Sequence, residues 1–195
     1  LPPNNFTTTH SRYLLNSSNN ISSLGLTASI WGITGFFLLI SVALVNLSRM
    51  SLDAWTQPFS ALQWAVLIAN ILFMAYSEGY KGFQQSYSPR LAARAKYLAS
   101  HSSVFQCVFA PLFCMGFFHA PKKRIITSVL LSMMIVILVI SFRLLPQPWR
   151  GILDAGVVVG LSWGLIATAF SCRRAFTRPQ WEVDPEVKIG QKVFS

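Results

Sequence analysis

Glu78 and Asp154 are the two acids that border long apolar stretches of this sequence, and each has a base at helical spacing. Lys81 follows Glu78 by three residues and Arg150 precedes Asp154 by four, so each acid can close a local ion pair on a helix. Brought together, the two carboxylates would make a shared proton or cation site. Kept apart, they are ion pairs anchoring helices at a membrane interface. No acid interrupts the middle of an apolar run, which weighs against transport coupled to protons or sodium. His101 and His119 bracket one apolar run and would sit about 27 Å apart on a helix, too far to share a metal. A b-type haem would need a second histidine on a facing helix, and no other run supplies one. Cys107 and Cys114 lie about 10 Å apart on a helix, beyond disulfide reach, and read as small packing residues. Cys172, just before Arg173 and Arg174, has the setting of either an acylated cysteine or a spare juxtamembrane thiol. HExxH, CxxC, phosphate-loop and nucleophile-elbow motifs are all missing. The sequence therefore points to no metal, no cofactor and no catalytic residue.

A second pattern concerns packing. Gly156, Gly160 and Gly164 recur every four residues and are continued by Thr168, leaving a flat groove along one helix face where another backbone can approach. The facing helix is either internal, the first span with its own Gly25, Ser29, Gly32 and Gly35 being a candidate, or part of another subunit.

These residues need helices to carry them, and composition says where those helices live. With 53% hydrophobic and only 11% charged residues, and a mean hydropathy of +0.49, the chain is too apolar for a water-soluble domain of its size. A bilayer core roughly 30 Å thick takes about 20 helical residues, and several runs are that long. The expected class is all-α, a polytopic transmembrane bundle over residues 24–174. Its spans are expected near 24–47, 59–80, 102–120, 125–145 and 152–170. The run at 102–120 is short and interrupted by Pro111 and Gly116, so four spans plus a re-entrant segment is the alternative. The charge rule supports that alternative, because five spans divide the Lys and Arg residues almost evenly, whereas a re-entrant third run puts nearly all of them on one side. Burial argues for five, since a small chain can hardly shield a re-entrant loop from lipid.

Outside the spans, residues 1–23 form a polar, acid-free segment rich in Asn, Ser and Thr that cannot build a core. Opening on Leu rather than Met, it suits a fragment or a processed chain. It has the composition of an organelle transit peptide, and it also carries N-x-S/T triplets at Asn5, Asn16 and Asn20. Residues 175–195 form a polar tail. Between the second and third spans, residues 88–101 read as an amphipathic connecting helix. Arg90, Arg94, Tyr97 and His101 share one stripe, positioned to lie on anionic lipid or a partner. The formal charge of +10 comes from bases placed between and beside apolar runs, so it marks topology and not nucleic-acid binding.

The stretches SEGYKGFQQSYSPRLAARA (77–95), FAPLFCMGFFHAPKKR (109–124) and LPQPWRGILDAGVVVGLSWG (145–164) resemble an uncharacterised family of small polytopic bacterial membrane proteins. With their flanks they cover most of residues 60–170. The resemblance implies a helical membrane fold and brings no activity or site residues with it. The Asn/Ser-rich leader departs from the bacterial pattern, so the expected location is either a bacterial-type inner membrane or an organelle membrane such as that of a plastid. The expected function is that of a non-catalytic accessory or assembly subunit, its partners being the bilayer and other membrane subunits or itself. A small-solute transporter or channel acting as an oligomer is the alternative.

Overall fold

The computed structural model describes residues 23–100, 104–117, 126, 129, 130, 133, 137, 140–142, 144–178 and 183. The leader with its three triplets, His101, His119, the basic run 122–124 and most of the tail lie outside the described residues. Among the described residues every regular element is helical. Helix α1 spans Ser23–Ala54. Helix α2, Ala61–Met74, runs without a break into a π-helix at Ala75–Tyr87 and then into α3, Ser88–Ser100. Two short helices follow, α4 at Val104–Val108 and α5 at Ala110–Cys114. The last described helix, α6, is Trp149–Thr177.

Local chemistry accounts for the boundaries. After Pro58, Ser60 caps α2 by accepting from the Gln63 amide (3.3 Å), while the Gln63 side chain accepts from the Ser60 amide (2.8 Å). Pro89 lacks the N–H that either winding would use, and it sits where the chain reverts from i→i+5 to i→i+4 bonding. Residues 61–100 thus make one rod of 40 residues.

Among the described residues, three helices are long and apolar enough to cross a membrane: α1, the rod and α6. That is fewer than the five spans expected. The third expected span, 102–120, is not one helix. Its winding breaks at Phe109, just before Pro111, and again at Gly116, which takes a φ of 89° that side-chain-bearing residues rarely adopt. The resulting pieces are too short to span and instead pack on α1, burying Ala110, Phe113 and Cys114. The fourth expected span, 125–145, falls mostly outside the described residues. Those described within it, such as Ile126, Leu130 and Ile137, are helical and exposed.

The rod and α6 run parallel, and α1 runs antiparallel to both. Along α6, Asn70, Glu78, Phe83 and Ser88 of the rod meet Gly156, Gly160, Gly164 and Thr168 in that order. Along α1, Tyr87 packs on Phe36 with ring centroids 5.5 Å apart, the Ala95 carbonyl accepts from Ser29 Oγ (2.8 Å), and Ala99 abuts Gly25. Helix α3 is correspondingly the best-buried element: Leu91, Ala92, Ala95, Leu98 and Ala99 are all at most 1% exposed. The expectation of a surface-lying helix at 88–101 is therefore corrected. The stretch is a continuation of the rod, and its small residues are what let α1 come close.

One buried polar contact ties the rod to α6. Thr168 Oγ1 donates to the Gly164 carbonyl of its own turn (2.8 Å), so Ser88 Oγ, 2.9 Å away, is the donor between helices. Ser88→Ala should therefore cost about 0.6–1 kcal/mol, the usual range for one interhelical hydrogen bond, read as a shift in detergent unfolding. An unchanged midpoint would mean that this bond adds nothing to the pairing.

Candidate functional site

The glycine stripe of α6 faces inward. A Cβ on Gly156 would lie 2.2 Å from Asn70 Nδ2, and one on Gly164 would lie 2.6 Å from the Phe83 ring. On Gly160 it would sit 3.1 Å from Glu78 Cβ and 3.4 Å from the Met74 carbonyl. The partner is thus the rod. The small residues of α1 serve other contacts: Gly32 faces Ala110 and Cys114, and Gly35 faces Pro111. Asn70, an amide in the apolar part of the rod, fills the notch at Gly156 and donates to the carbonyls of Ile152 (2.9 Å) and Leu153 (3.3 Å).

Glu78 and Asp154 do not come together. Asp154 is near the level of Asn70, whereas Glu78 faces Gly160, so the acids are separated by about 9 Å along the helix axes. A shared carboxylate site is excluded by this stagger. Asp154 is 3% exposed, and its Oδ2 lies 3.8 Å from Arg150 Nε. Around it, Arg150 Nη2 donates to Met50 Sδ, Gln147 Nε2 donates to the Met50 carbonyl (3.3 Å), and Gln147 Oε1 accepts from the Gly151 amide (3.2 Å). This cluster fastens the end of α1 to the start of α6. It is an anchor, and no group of His, Cys, Asp and Glu that could hold a metal occurs among the described residues.

The expected surface stripe on 88–101 divides. Arg94 is buried at 4% exposure, so it is not offered to lipid headgroups. Its Nη1 donates to the Phe113 carbonyl (2.9 Å) and its guanidinium lies 5.3 Å from the Phe113 ring centroid. Tyr97 stacks on the same ring at 6.3 Å. Arg90 is half-buried and donates to Ser86 Oγ, and His101 lies outside the described residues. What was read as a headgroup-binding face instead holds the broken third run against the bundle.

A different surface stands out once the helices are aligned. Arg49, Asp53, Arg150 and Asp154 gather at one end of the bundle, and Arg94, Lys96, Arg173, Arg174 and Arg178 at the other. Between them, α1 carries no charge from Ser23 to Ser48, nor α6 from Ala155 to Cys172. The rod does. Glu78, Lys81, Gln84 and Gln85 are exposed on its π-helical part. Gly79 beside Trp163, and Gln84 accepting from Trp163 Nε1 at 2.9 Å, fix this strip level with the middle of the uncharged part of α6. On α1 the same level falls between Phe36, which meets Tyr87, and Met50, which meets Arg150.

Within the strip, the Glu78 carboxylate folds toward Gly82, where a Cβ would come within 3.6 Å of its Oε2. Lys81 Nζ lies 5.2 Å from the centroid of the Tyr76 ring, five residues back as the π winding dictates. No ion pair joins Glu78 to Lys81 among the described residues. Asn70, Gln84 and Gln85 were not singled out from sequence. The available signal was Asn70 midway along an apolar stretch, and amides in a segment that reads locally as a connector. Compared with models of protein families, with curated proteins and with solved structures, the chain matches none.

Proposed function

We propose that the chain is a non-catalytic integral membrane protein that assembles with a protein partner inside the bilayer, as an accessory or assembly subunit of a membrane complex. One observation carries the reading: Glu78, Lys81, Gln84 and Gln85 are exposed at the depth of the middle of the uncharged part of α6 and of the C-terminal half of the uncharged part of α1. A bilayer that solvates those two helices surrounds the strip with hydrocarbon. Acyl chains offer charges and amides no hydrogen bonds, so such groups face protein or a water-filled cavity. Moving the bilayer toward the apolar residues 61–77 of the rod does not help, because it would leave much of the uncharged part of α1 in water.

The glycine stripe is consumed internally, which leaves the polar strip as the surface for assembly. A photo-reactive amino acid in place of Gln85, activated in native membranes, should yield a discrete protein adduct. Adducts with lipid alone would overturn the proposal.

The same strip supports a second reading, a small-solute passage closed by several copies with Glu78 on its wall. It requires flux in proteoliposomes that is lost on Glu78→Gln. It also requires rapid modification of Lys81→Cys by a water-soluble maleimide in a chain whose native cysteines are replaced by alanine.

A further inference from the structure

Resting on the assembly reading, we infer that the partner seated on the rod is a membrane helix of another protein, and that it presents a carboxylate to Lys81. The outward face of the π-helical part is made of Tyr76, Tyr80, Lys81 and Gln85, all exposed. Contacts show that the first three share it: the rings of Tyr76 and Tyr80 stack with centroids 6.1 Å apart, and Lys81 Nζ lies over the Tyr76 ring. With i→i+5 bonds, residues four and five apart stand nearly in line, which sets Gln85 on the same face as Lys81 and Tyr80. Glu78, three residues before Lys81, is turned well away from it. Its stem lies against Gly160 of α6 and its carboxylate over Gly82.

This face is a donor set without an acceptor. Beyond the Tyr76 ring, the Lys81 ammonium meets no counter-charge among the described residues. The Tyr76 and Tyr80 hydroxyls and the Gln85 amide make no hydrogen bond there either. An ammonium only donates, and in hydrocarbon only an anionic acceptor also offsets its charge. Two phenol hydroxyls and an amide NH₂ beside it can donate to the same group. Snorkelling is closed to Lys81, which stands roughly 15 Å along the rod from the level of Asp154 and farther still from Lys96. Lipid phosphates stay at those charged ends, so the anion at this depth is a carboxylate carried in by a helix. Among the described residues, a second copy offers none on an outward face at this level. Its Glu78 lies toward its own α6, its Asp154 is buried, and its Asp53 is at the end of the bundle.

A zero-length crosslink tests this in native membranes. A hydrophobic carbodiimide activates a carboxylate within the bilayer, and attack by the Lys81 amine then forms an amide bond. The water lost from the ammonium and carboxylate leaves as the urea of the spent reagent. Peptide mapping should find Lys81 joined to an Asp or Glu of another protein. Lys81→Arg keeps the charge but is not acylated, so it should lose this product and retain the photo-adduct at position 85. Lys81→Gln should lower the yield of that photo-adduct by at least about tenfold, because the partner's acid is left without a counter-charge. Lys81 faces away from the bundle, and the retained adduct of Lys81→Arg controls for any disturbance of the fold.

A photo-adduct undiminished in Lys81→Gln overturns the inference while assembly stands. So does the absence of a Lys81 crosslink, or a crosslink from Lys81 to an acid of a second copy. If the probe at 85 yields no protein adduct in the wild-type chain, both readings fall.

Discussion

Gly25→Leu should separate α1 from the far end of the rod and produce the largest loss of stability among single substitutions in this bundle. A Cβ at Gly25 would lie 2.3 Å from the Ala99 carbonyl oxygen and 2.8 Å from its carbon. Backbone cannot swing aside as a side chain can, so the helices themselves must part. Overpacking of this kind costs on the order of 3 kcal/mol. The separation would also open the Ser29 hydrogen bond to the Ala95 carbonyl one turn further along. The expected readout is a lowered unfolding midpoint in detergent, with Gly25→Ala close behind Gly25→Leu because the clash begins at the first carbon. Gly116→Ala is the contrast. Nothing lies within 4 Å of a Cβ there, so any cost comes only from its φ of 89°. A Gly25→Leu chain as stable as the wild type would refute the close approach of α1 and α3.

Arg94→Ala should release the broken third run while leaving the three long helices paired. The guanidinium holds this segment through a hydrogen bond to the Phe113 carbonyl and contact with the Phe113 ring, both within a buried site. Removing it deletes a hydrogen bond from a charged donor, a loss of about 1.5–3 kcal/mol, and opens a cavity beneath the ring, although the Phe113 carbonyl still accepts from the Gly116 amide (3.0 Å). The neighbouring Cys114 is 2% exposed and supplies the reporter. With Cys107 and Cys172 replaced by alanine, labelling of Cys114 by a small maleimide should accelerate at least tenfold in Arg94→Ala. Arg94→Lys should fall between, since an ammonium can still donate to the carbonyl but cannot lie flat on the ring. Unaltered labelling would mean that Arg94 does not secure the segment.

The sequence announces the ends of the bundle more clearly than its middle. Arg49 with Asp53, Arg150 with Asp154, and Arg173 with Arg174 each read as the end of an apolar run, because charges collect where such runs stop; the five-span reading sets Arg49 and Arg150 on opposite sides, and it is the contact of Arg150 with Met50 that puts them at one end. The interruptions at Pro111 and Gly116 are equally legible, and they are where the third run breaks. The glycine stripe declares a packing face but not its partner, since a groove carries no address. Depth is what stays hidden. Residues 78–100 are polar enough that a local hydropathy reading puts them outside the bilayer, yet their level is fixed by neighbours distant in sequence: Phe36 against Tyr87, Trp163 against Gly79, Thr168 against Ser88. For the same reason Arg94 looks like a surface base and is a buried one. Periodicity gives the face of a helix on which a residue lies, and only tertiary contacts say what covers that face.

The π-helical stretch at Ala75–Tyr87 has one more consequence. Wound with i→i+5 bonds, it packs more residues into each turn than the α-helix beside it. The rod therefore stores slack. A residue gained or lost there can be absorbed by rewinding a turn, with Asn70 and Ser88 still at their stations on α6. The glycine ladder opposite has no such reserve, because one inserted or deleted residue would rotate all its rungs beyond the gap away from the face they serve.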